Sequence, residues 1–333
     1  MTADPTPEAT PADRPIRVAV LTRDGLADPH NLDAIAELAQ VRLCTADDLA
    51  DAVAGADVLM LWDYFSAALR EAWPHAEALR WIHVCAAGVD AMLFDELRTS
   101  DVVMTNARGV FDGPIAEFVL ASILARDKSL HESRALQREH RWVWRETRRT
   151  TGSSALVIGT GAIGRAVARL LRAVGLQVTG AGRTARTDDP DFGTVIATDD
   201  LAEHVGAFDN VVAIAPLTEQ TAGLVDARVL AAMKPSAHLI NVGRGQLVVE
   251  ADLIEALRDG TIAAASLDVV ETEPLPADSP LWDLDQVAIS AHMSGDVVGW
   301  RDELADQFLA HLRRYAAGQA PDHPVDKERG YVR

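Results

Sequence analysis

A glycine-rich segment near the middle of the chain constrains the fold more than any other feature. It runs Gly159-Thr-Gly161-Ala-Ile-Gly164 and has the spacing GxGxxG. An apolar stretch, Ala155–Ile158, leads into it, and a helical stretch, Arg165–Val174, follows it. The first glycine permits a tight turn, the second lets a ligand approach the backbone, and the third permits close packing of helix on strand. The segment therefore predicts a strand, a turn and a helix whose N-terminus binds the phosphates of a dinucleotide.

Strands and helices alternate on both sides of this segment, which predicts parallel sheets. The length of 333 residues suggests two domains. The strands predicted before the segment are Ile16–Thr22, Ala56–Trp62, Leu79–Gly88 and Asp101–Asn106. The second series has six runs, the number in a complete dinucleotide-binding sheet: Ala155–Gly164, Leu176–Arg183, Asn210–Pro216, His238–Gly245, Ala263–Val270 and Val287–His292. The main helical stretches are Leu32–Leu38, Ile115–Arg141 and about Gly299–Ala317.

The charge balance argues against two classes of partner. The chain has 50 acidic and 31 basic residues, a net charge of −19. Such a surface repels nucleic acids and anionic membrane surfaces, so neither is an expected partner. The longest strongly apolar stretch, Phe118–Ala125, is far shorter than the roughly 20 residues of a spanning helix. Residues 1–15 lack the pattern of a secretory signal, and we expect a disordered tail there on a soluble, cytoplasmic protein.

The sequence offers no recognisable metal site. The two cysteines, Cys44 and Cys85, do not form a CxxC pair. His131-Glu132 begins like the zinc motif HExxH, but Ala135 replaces the second histidine. We therefore expect no metal, and we expect Cys85 to be a small buried filler, because its motif contains no basic partner.

The end of the strand after the glycine-rich segment indicates which dinucleotide binds. An NAD site usually places an acid there, to bind the ribose 2′-hydroxyl. This chain has Arg183-Thr184-Ala-Arg186 instead. The two arginines can pair with a 2′-phosphate, and Thr184 can donate a hydrogen bond to it. The pattern favours NADPH, with NAD as the alternative if both arginines only face solvent.

Three later strands end in side chains suited to catalysis. Arg244 stands between two glycines, Asp268, Glu271 and Glu273 follow the next strand, and His292 follows the last. Ligands of open α/β sheets bind at the carboxyl ends of the strands. We therefore expect an arginine, a carboxylate and a histidine to converge at this edge.

Taken together, these motifs resemble the D-isomer-specific 2-hydroxyacid dehydrogenase family, which includes glyoxylate and hydroxypyruvate reductases. The resemblance covers about Ile16 to Ala317, and its motifs occur in order with the right spacing. Besides the glycine-rich segment, the matching stretches are Trp81–Asp90, Asn106–Phe111, Ile115–Ala121, Ala215–Val225, Met233–Gly245, Leu267–Leu275, Ser279–Leu284 and Ser290–Gly295.

The resemblance implies an α/β protein of two doubly wound parallel-sheet domains. A Rossmann cofactor domain, residues 106–294, would be inserted in a flavodoxin-like substrate domain, residues 16–105 plus 295–333. Similar enzymes are usually homodimers that associate through the region that here includes Ile115–Arg149.

The resemblance also implies the site. The family's catalytic residues fall on Arg244, Glu273 and His292. Arg244 would bind the substrate's oxygens, His292 would donate the proton, and Glu273 would favour the imidazolium. The backbone of Ala87, Gly88 and Val89 would bind the substrate carboxylate beside Arg244 and His292. The residues expected around the cofactor are Gly159, Gly161, Ala162, Ile163, Gly164, Arg183, Thr184, Arg186, Ala215, Pro216, Thr221, Val242, Gly243 and Asp268.

Two local alternatives remain open at the level of the sequence. Glu271 competes with Glu273 for the acid role, although the family's spacing favours Glu273. The aromatic residues Trp62, Tyr64 and Phe65 line the substrate pocket or belong to the core, and the sequence does not favour either.

The leading hypothesis is an NADPH-preferring reductase of small 2-oxo acids to D-2-hydroxy acids. One alternative is a formate- or phosphonate-type dehydrogenase of the same fold, although the family's formate enzymes lack a glutamate at the position of Glu273. The other is a non-catalytic, dinucleotide-sensing protein of the corepressor type. The complete set of Arg244, Glu273 and His292 argues against that alternative.

Overall fold

The computed structural model describes residues 14–332, which divide into two units. The first unit comprises residues up to 110 together with 298 onward, and the second comprises residues 111–297, where the sequence predicted 106–294. Most of the predicted disordered tail, residues 1–13, lies outside the described part. Arg14, which was included in that tail, forms a two-point ion pair with Asp57 at 2.6 and 2.9 Å, so the ordered chain begins before the predicted first strand.

The first unit is built on one parallel sheet of five strands in the order β2-β1-β3-β4-β5. This is the flavodoxin-like doubly wound order. Its strands are β1 (Ile16–Leu21), β2 (Ala39–Cys44), β3 (Val58–Leu61), β4 (Trp81–Val84) and β5 (Val103–Asn106). All four residues of β3 and of β4 are buried, as expected of central strands covered on both faces. The edge strand β2 was not predicted, because only its first and last residues are buried.

Short helices and one long helix accompany this sheet. They are α1 (Leu32–Ala36), α2 (Leu49–Val53), α3 (Ala68–Ala72), α4 (Asp95–Thr99) and, near the end of the chain, α11 (Trp300–Ala316). The long helix buries Leu304, Phe308 and Leu312. Phe308 stacks on Trp81 of β4, with 5.4 Å between the ring centroids. A short antiparallel pair, β14 (Val325–Asp326) and β15 (Tyr331–Val332), follows.

The second unit is built on an eight-stranded sheet, in which every pairing is parallel except that of β8 with β9. The order is β13-β12-β11-β10-β6-β7-β9-β8. Its strands are β6 (Ser154–Ile158), β7 (Gln177–Gly182), β8 (Arg186–Asp189), β9 (Gly193–Ala197), β10 (Asn210–Ala213), β11 (His238–Asn241), β12 (Ala264–Leu267) and β13 (Val287–Ile289). The run from β9 to β12 has the Rossmann order 3-2-1-4-5-6, and β13 is a seventh parallel strand. The predicted fold class is confirmed, but the prediction of six strands missed β8 and β9.

The helices of the second unit are α5 (Asp112–Asp127), α6 (Leu130–Arg138), α7 (Ala162–Ala173), α8 (Leu201–His204), α9 (Ala227–Ala232) and α10 (Glu250–Arg258). The single helical region predicted over Ile115–Arg141 is divided at Ser129, which has a left-handed backbone with φ of 48°. Residues 141–150 form neither helix nor strand. Within residues 14–332, no helix combines the length and the apolar character that crossing a bilayer requires.

Candidate active site

The glycine-rich turn joins β6 to α7 and depends on close backbone packing. Gly159 has a φ of 118°, and a Cβ there would lie 2.7 Å from the backbone of Ile214 and Ala215. A Cβ at Gly164 would lie 1.9 Å from the carbonyl oxygen of Gly159. Both positions therefore require glycine, because a side chain would separate α7 from the turn or the turn from the segment after β10.

Gly161 differs from these two glycines, because a Cβ there would meet no atom within 4 Å. The first hydrogen bond of α7 runs from the N–H of Arg165 to the carbonyl of Gly161 at 2.9 Å. The N–H groups of Ala162, Ile163 and Gly164 consequently have no acceptor within the helix. An open glycine beside these donors, at the positive end of a helix dipole, fits the pyrophosphate of a dinucleotide.

Residues predicted to line the cofactor follow β10 and β11 at the same carboxyl edge of the sheet. The N–H of Val242 donates to the carbonyl of Ala213 at 3.1 Å. A Cβ at Gly243 would lie 3.2 Å from the carbonyl oxygen of Ala215, so the two segments run close together. The hydroxyl of Thr221 donates to the carbonyl of Pro216 at 2.6 Å and fixes the turn after β10.

The two arginines predicted to bind a 2′-phosphate lie in different surroundings. Arg183 and Thr184 are exposed directly after β7. Arg186 lies in β8, and its Nε and Nη2 both lie 2.9 Å from Oδ2 of Asp189. Of these two arginines, only Arg183 has a guanidinium that makes no ion pair with any residue from 14 to 332.

His292 and Glu273 form the central contact among the three residues predicted to be catalytic. Nδ1 of His292 lies 2.7 Å from Oε2 of Glu273, while Oε1 of Glu273 accepts the N–H of Val270 at 3.2 Å. His292 has a left-handed backbone with φ of 51°, a conformation uncommon for residues other than glycine. A histidine fixed in this way by a carboxylate can hold a proton on its other ring nitrogen.

The pair shifts the pKa of each partner. The hydrogen bond to Glu273 raises the pKa of His292, despite partial burial that acts in the opposite direction. Burial alone would raise the pKa of Glu273, but the hydrogen bond and charge of His292 outweigh it, so that the pKa of Glu273 is lowered. Both shifts favour a carboxylate beside an imidazolium.

Asp268 holds the loop that carries His292. Its Oδ1 accepts hydrogen bonds from the Ser290 hydroxyl at 2.6 Å and the Met293 N–H at 2.9 Å, and its Oδ2 accepts from the Ser294 N–H at 3.0 Å. Asp268 was predicted among the cofactor-binding residues, whereas its buried carboxylate is directed to this loop. Ser290 and Ser294 were not predicted, although their positions two residues before and after His292 offered a signal.

Arg244 follows β11 in a turn that packs against the segment leading to Glu273. A Cβ at Gly245 would lie 1.9 Å from the carbonyl oxygen of Val270, so only glycine permits this approach. The side-chain amide of Asn241 donates to the Arg244 carbonyl at 2.9 Å and fixes the turn. The charge of Arg244 makes a smaller contribution to the pKa values of both Glu273 and His292. The structure thus brings Arg244, Glu273 and His292 together.

Glu271 has a different partner. Its Oε1 accepts the N–H of Glu250 at the start of α10 at 3.0 Å, and its own N–H donates to Oε2 of Glu250 at 3.2 Å. The carboxylate that contacts His292 is therefore that of Glu273.

In the first unit, Ala87, Gly88 and Val89 follow β4 at the carboxyl edge of its sheet. The carbonyl of Ala87 accepts the side-chain amide of Asn106. The backbone N–H groups of Gly88 and Val89 have no acceptor among the residues that the structure describes. Two adjacent N–H donors of this kind suit a carboxylate group.

The aromatic residues after β3 divide between core and surface. Trp62 is 2% exposed and its indole N–H donates to the carbonyl of Ala27 at 2.8 Å, which makes it a core residue. Phe65 is 62% exposed, and its ring centroid lies 4.6 Å from that of Tyr64. Cys85 is fully buried, and burial raises the pKa of its thiol, which suits a packing role.

Comparison with known proteins agrees with this geometry. Residues 120–294 match the family profile described as D-isomer specific 2-hydroxyacid dehydrogenase, NAD binding domain. A glyoxylate/hydroxypyruvate reductase A of Arabidopsis thaliana is 31% identical over 280 residues, which are 83% of this chain and 83% of the relative.

Two solved structures share the fold over nearly the whole chain. A D-isomer specific 2-hydroxyacid dehydrogenase of Xanthobacter autotrophicus, in complex with NADPH and MES, is 30% identical with a TM-score of 0.79, covering 94% of this chain and 99% of that one. An NADPH-dependent glyoxylate/hydroxypyruvate reductase of Sinorhizobium meliloti, with NADP and sulfate, is 26% identical with a TM-score of 0.77, covering 95% and 100%. The chain therefore belongs to the D-isomer specific 2-hydroxyacid dehydrogenase family and is an NAD(P)-dependent oxidoreductase.

Proposed function

We propose that the protein is an NADPH-preferring reductase that converts small 2-oxo acids into D-2-hydroxy acids. The observation that carries this proposal is the 2.7 Å pair of His292 and Glu273, with Arg244 in the adjoining turn. Reducing a carbonyl requires a proton donor for the forming alkoxide, and the raised pKa of His292 keeps that proton available near neutral pH. Relatives described as glyoxylate/hydroxypyruvate reductases support the substrate class.

In this proposal each catalytic residue has one task. The nicotinamide supplies the hydride when it is bound. His292 donates a proton from Nε2 to the substrate's carbonyl oxygen, while Glu273 holds Nδ1 and stabilises the imidazolium. Arg244 binds carbonyl and carboxylate oxygens through its planar donors and stabilises the developing charge. The N–H groups of Gly88 and Val89 stay the predicted donors to the substrate carboxylate.

The cofactor preference rests on the end of β7. Arg183 is exposed there without an ion-pair partner in the described chain, and no acid occupies the position where NAD sites use one. The relatives from Xanthobacter and Sinorhizobium, solved with NADPH and NADP, support the same preference.

The assembly we propose is a homodimer formed through the region from Ile115 to Arg149. Within it, Trp142 and Trp144 are 101% and 81% exposed on a stretch without helix or strand. Large exposed aromatic side chains are typical of interfaces. A mass equal to one chain in solution would contradict this assembly. The cytoplasmic location expected from the sequence stays a prediction.

The direct test measures kcat/KM for glyoxylate, hydroxypyruvate and pyruvate with NADPH and with NADH. We expect turnover of at least one 2-oxo acid, with NADPH favoured by about tenfold or more, the effect of one charge-assisted contact. Formate with NADP⁺ is the control and should give no turnover. Equal or better use of NADH would contradict the preference, and nucleotide binding without turnover of any 2-oxo acid would favour the corepressor-like alternative.

A further inference from the structure

An ion-pair cluster anchors the β8–β9 hairpin beside the predicted 2′-phosphate position. At its centre is Asp189, whose side chain is 3% exposed. Its Oδ1 accepts from Arg165 at 2.9 Å, and its Oδ2 accepts from Arg165 at 3.0 Å and from Arg186 at 2.9 Å. The N–H groups of Asp191 and Phe192 donate to Oδ1 at 3.1 and 3.2 Å. Hydrogen bonds from Arg165 lead the interactions that hold the pKa of Asp189 well below its usual range.

The hairpin is also fixed by packing. Phe192 is buried, and a Cβ at Gly180 of β7 would lie 2.9 Å from its ring. The guanidinium of Arg165, from the first turn of α7, lies 5.5 Å from the centroid of the same ring. The hairpin is therefore tied both to β7, which ends directly before Arg183, and to α7, which follows the cofactor turn.

Arg186 cannot leave this cluster without cost. Its departure would remove two of the donor contacts to a carboxylate that is almost inaccessible to water, and buried charges tolerate the loss of a partner poorly. Arg183 is not held in this way, because its side chain donates no hydrogen bond to any residue from 14 to 332. The two arginines that look equivalent in sequence thus differ in their freedom to bind a phosphate.

We propose that Asp189 sets the cofactor selectivity by withholding Arg186 from the ribose 2′-phosphate, so that Arg183 alone provides the cationic contact. Asp189 acts here as a positioning residue, and Arg186 serves to anchor the hairpin. This inference rests on the NADPH preference proposed above.

The test uses two nucleotide probes, adenosine 2′,5′-bisphosphate and 5′-AMP, titrated into the full-length protein by calorimetry. The quantity compared is the affinity for adenosine 2′,5′-bisphosphate divided by the affinity for 5′-AMP. Arg183→Gln should lower that ratio by about tenfold or more, while Arg186→Gln should leave it within about twofold of wild type and lower the Tm. Arg169→Gln is the matched control, because it removes a nearby exposed charge that pairs with Asp191 at 3.2 Å and does not contact Asp189.

The variant Asp189→Asn distinguishes the proposal from a purely structural role of Asp189, because a structural role alone would not change the affinity ratio. Releasing Arg186 should raise the ratio by about threefold or more, and the double variant with Arg186→Gln should return it to the wild-type value. If Arg186→Gln lowers the ratio as much as Arg183→Gln does, the inference is wrong, and this arm decides the matter even if Asp189→Asn fails to fold. Equal binding of both probes by the wild type would instead refute the NADPH preference itself.

Discussion

At the scale of single residues, the chemistry depends on which carboxylate lies against His292. Glu271 and Glu273 are two positions apart and chemically identical, yet one contacts the N–H of Glu250 and the other contacts the imidazole. The variants Glu273→Gln and Glu271→Gln therefore form a matched pair. They separate the effect of the carboxylate that contacts His292 from the effect of a nearby carboxylate that does not.

We expect Glu273→Gln to change the pH dependence of 2-oxo acid reduction. The hydrogen bond to Glu273 raises the pKa of His292, so the protonated form persists to higher pH and reduction falls only as pH rises through that pKa. Glutamine removes the charge, so the falling limb should move to lower pH and leave measurable activity in acid. The measurement is kcat/KM from about pH 5 to 9, the range in which histidines titrate.

The controls for this profile are Glu271→Gln and His292→Ala. The first should leave the limb in place, and the second should reduce turnover at every pH. A limb that moves in Glu271→Gln and stays fixed in Glu273→Gln would contradict the assignment of the carboxylate.

A second prediction concerns Arg244. Arg244→Lys keeps the positive charge but loses the planar pair of donors that two substrate oxygens require. We expect kcat/KM for the 2-oxo acid to fall by about 100-fold, as for the loss of about 2.7 kcal/mol of transition-state stabilisation. NADPH binding, measured by fluorescence titration, should change little. Near-normal turnover in the lysine variant would exclude Arg244 from the mechanism.

The sequence predicted that Arg244, Glu273 and His292 would converge, but not the contacts that hold them. Arg244, Glu273 and His292 follow three successive strands, and parallel strands bring their carboxyl ends to one edge. Asp268 was predicted to lie around the cofactor, and only the fold shows that its carboxylate accepts hydrogen bonds from Ser290, Met293 and Ser294. Such hydrogen bonds depend on loop geometry, which has no periodic pattern in the sequence.

At the scale of elements, the turn between β6 and α7 contains two glycines with separable tasks. Gly164→Ala would place a Cβ 1.9 Å from the Gly159 carbonyl oxygen, so we expect a loss of about 1–3 kcal/mol in the free energy of unfolding, as for overpacked sites. Gly161→Ala meets no atom within 4 Å and should leave the stability nearly unchanged while weakening NADPH binding. Urea unfolding and nucleotide titration of both variants test the pair. If Gly161→Ala unfolds as readily as Gly164→Ala, the division of tasks is wrong.

The strands that escaped prediction share a physical cause. Central strands such as β3 and β10 are wholly buried and give continuous apolar runs. The unpredicted strands β2, β8 and β9 lie at or next to sheet edges, where polar side chains alternate with buried ones irregularly. β8 begins at Arg186 and ends at Asp189, which form an ion pair. The strand exists only through its hairpin with β9, which the sequence pattern does not indicate.

At the scale of the whole molecule, each unit contains a histidine that is buried and neutral. His83 in β4 contacts the Thr105 hydroxyl at 2.8 Å, and His238 in β11 contacts the Ser266 hydroxyl at 2.9 Å. Burial lowers the pKa of each to about 3. In the unfolded chain both titrate near the ordinary value of about 6.5.

These histidines should make the protein acid-sensitive. Between the two pKa values the unfolded chain binds protons that the folded chain does not, so full stability is present above about pH 6.5 and is lost as the pH falls toward 3. Each contributes up to about 1.4 kcal/mol per pH unit. We expect the difference in free energy of unfolding between pH 7 and 5 to shrink by about 2 kcal/mol in His83→Asn, measured by urea unfolding at both pH values. The exposed His75 is the control, and an equal change in His75→Asn would contradict the prediction.

Because the first unit is interrupted in sequence by the second, it cannot complete its fold until the last helix has been synthesised. Its sheet is synthesised first, but Trp81 lacks its stacking partner Phe308 until α11 has emerged. Both rings are fully buried in the finished fold. The second unit is one uninterrupted stretch, so it can complete its core while the first still waits for its final helix. At ordinary translation rates of about 5–20 residues per second, that wait lasts on the order of ten to forty seconds. For most of that interval residues 111–297 are still being synthesised, so the nascent first unit presents an open aromatic surface at Trp81 until its last helix arrives.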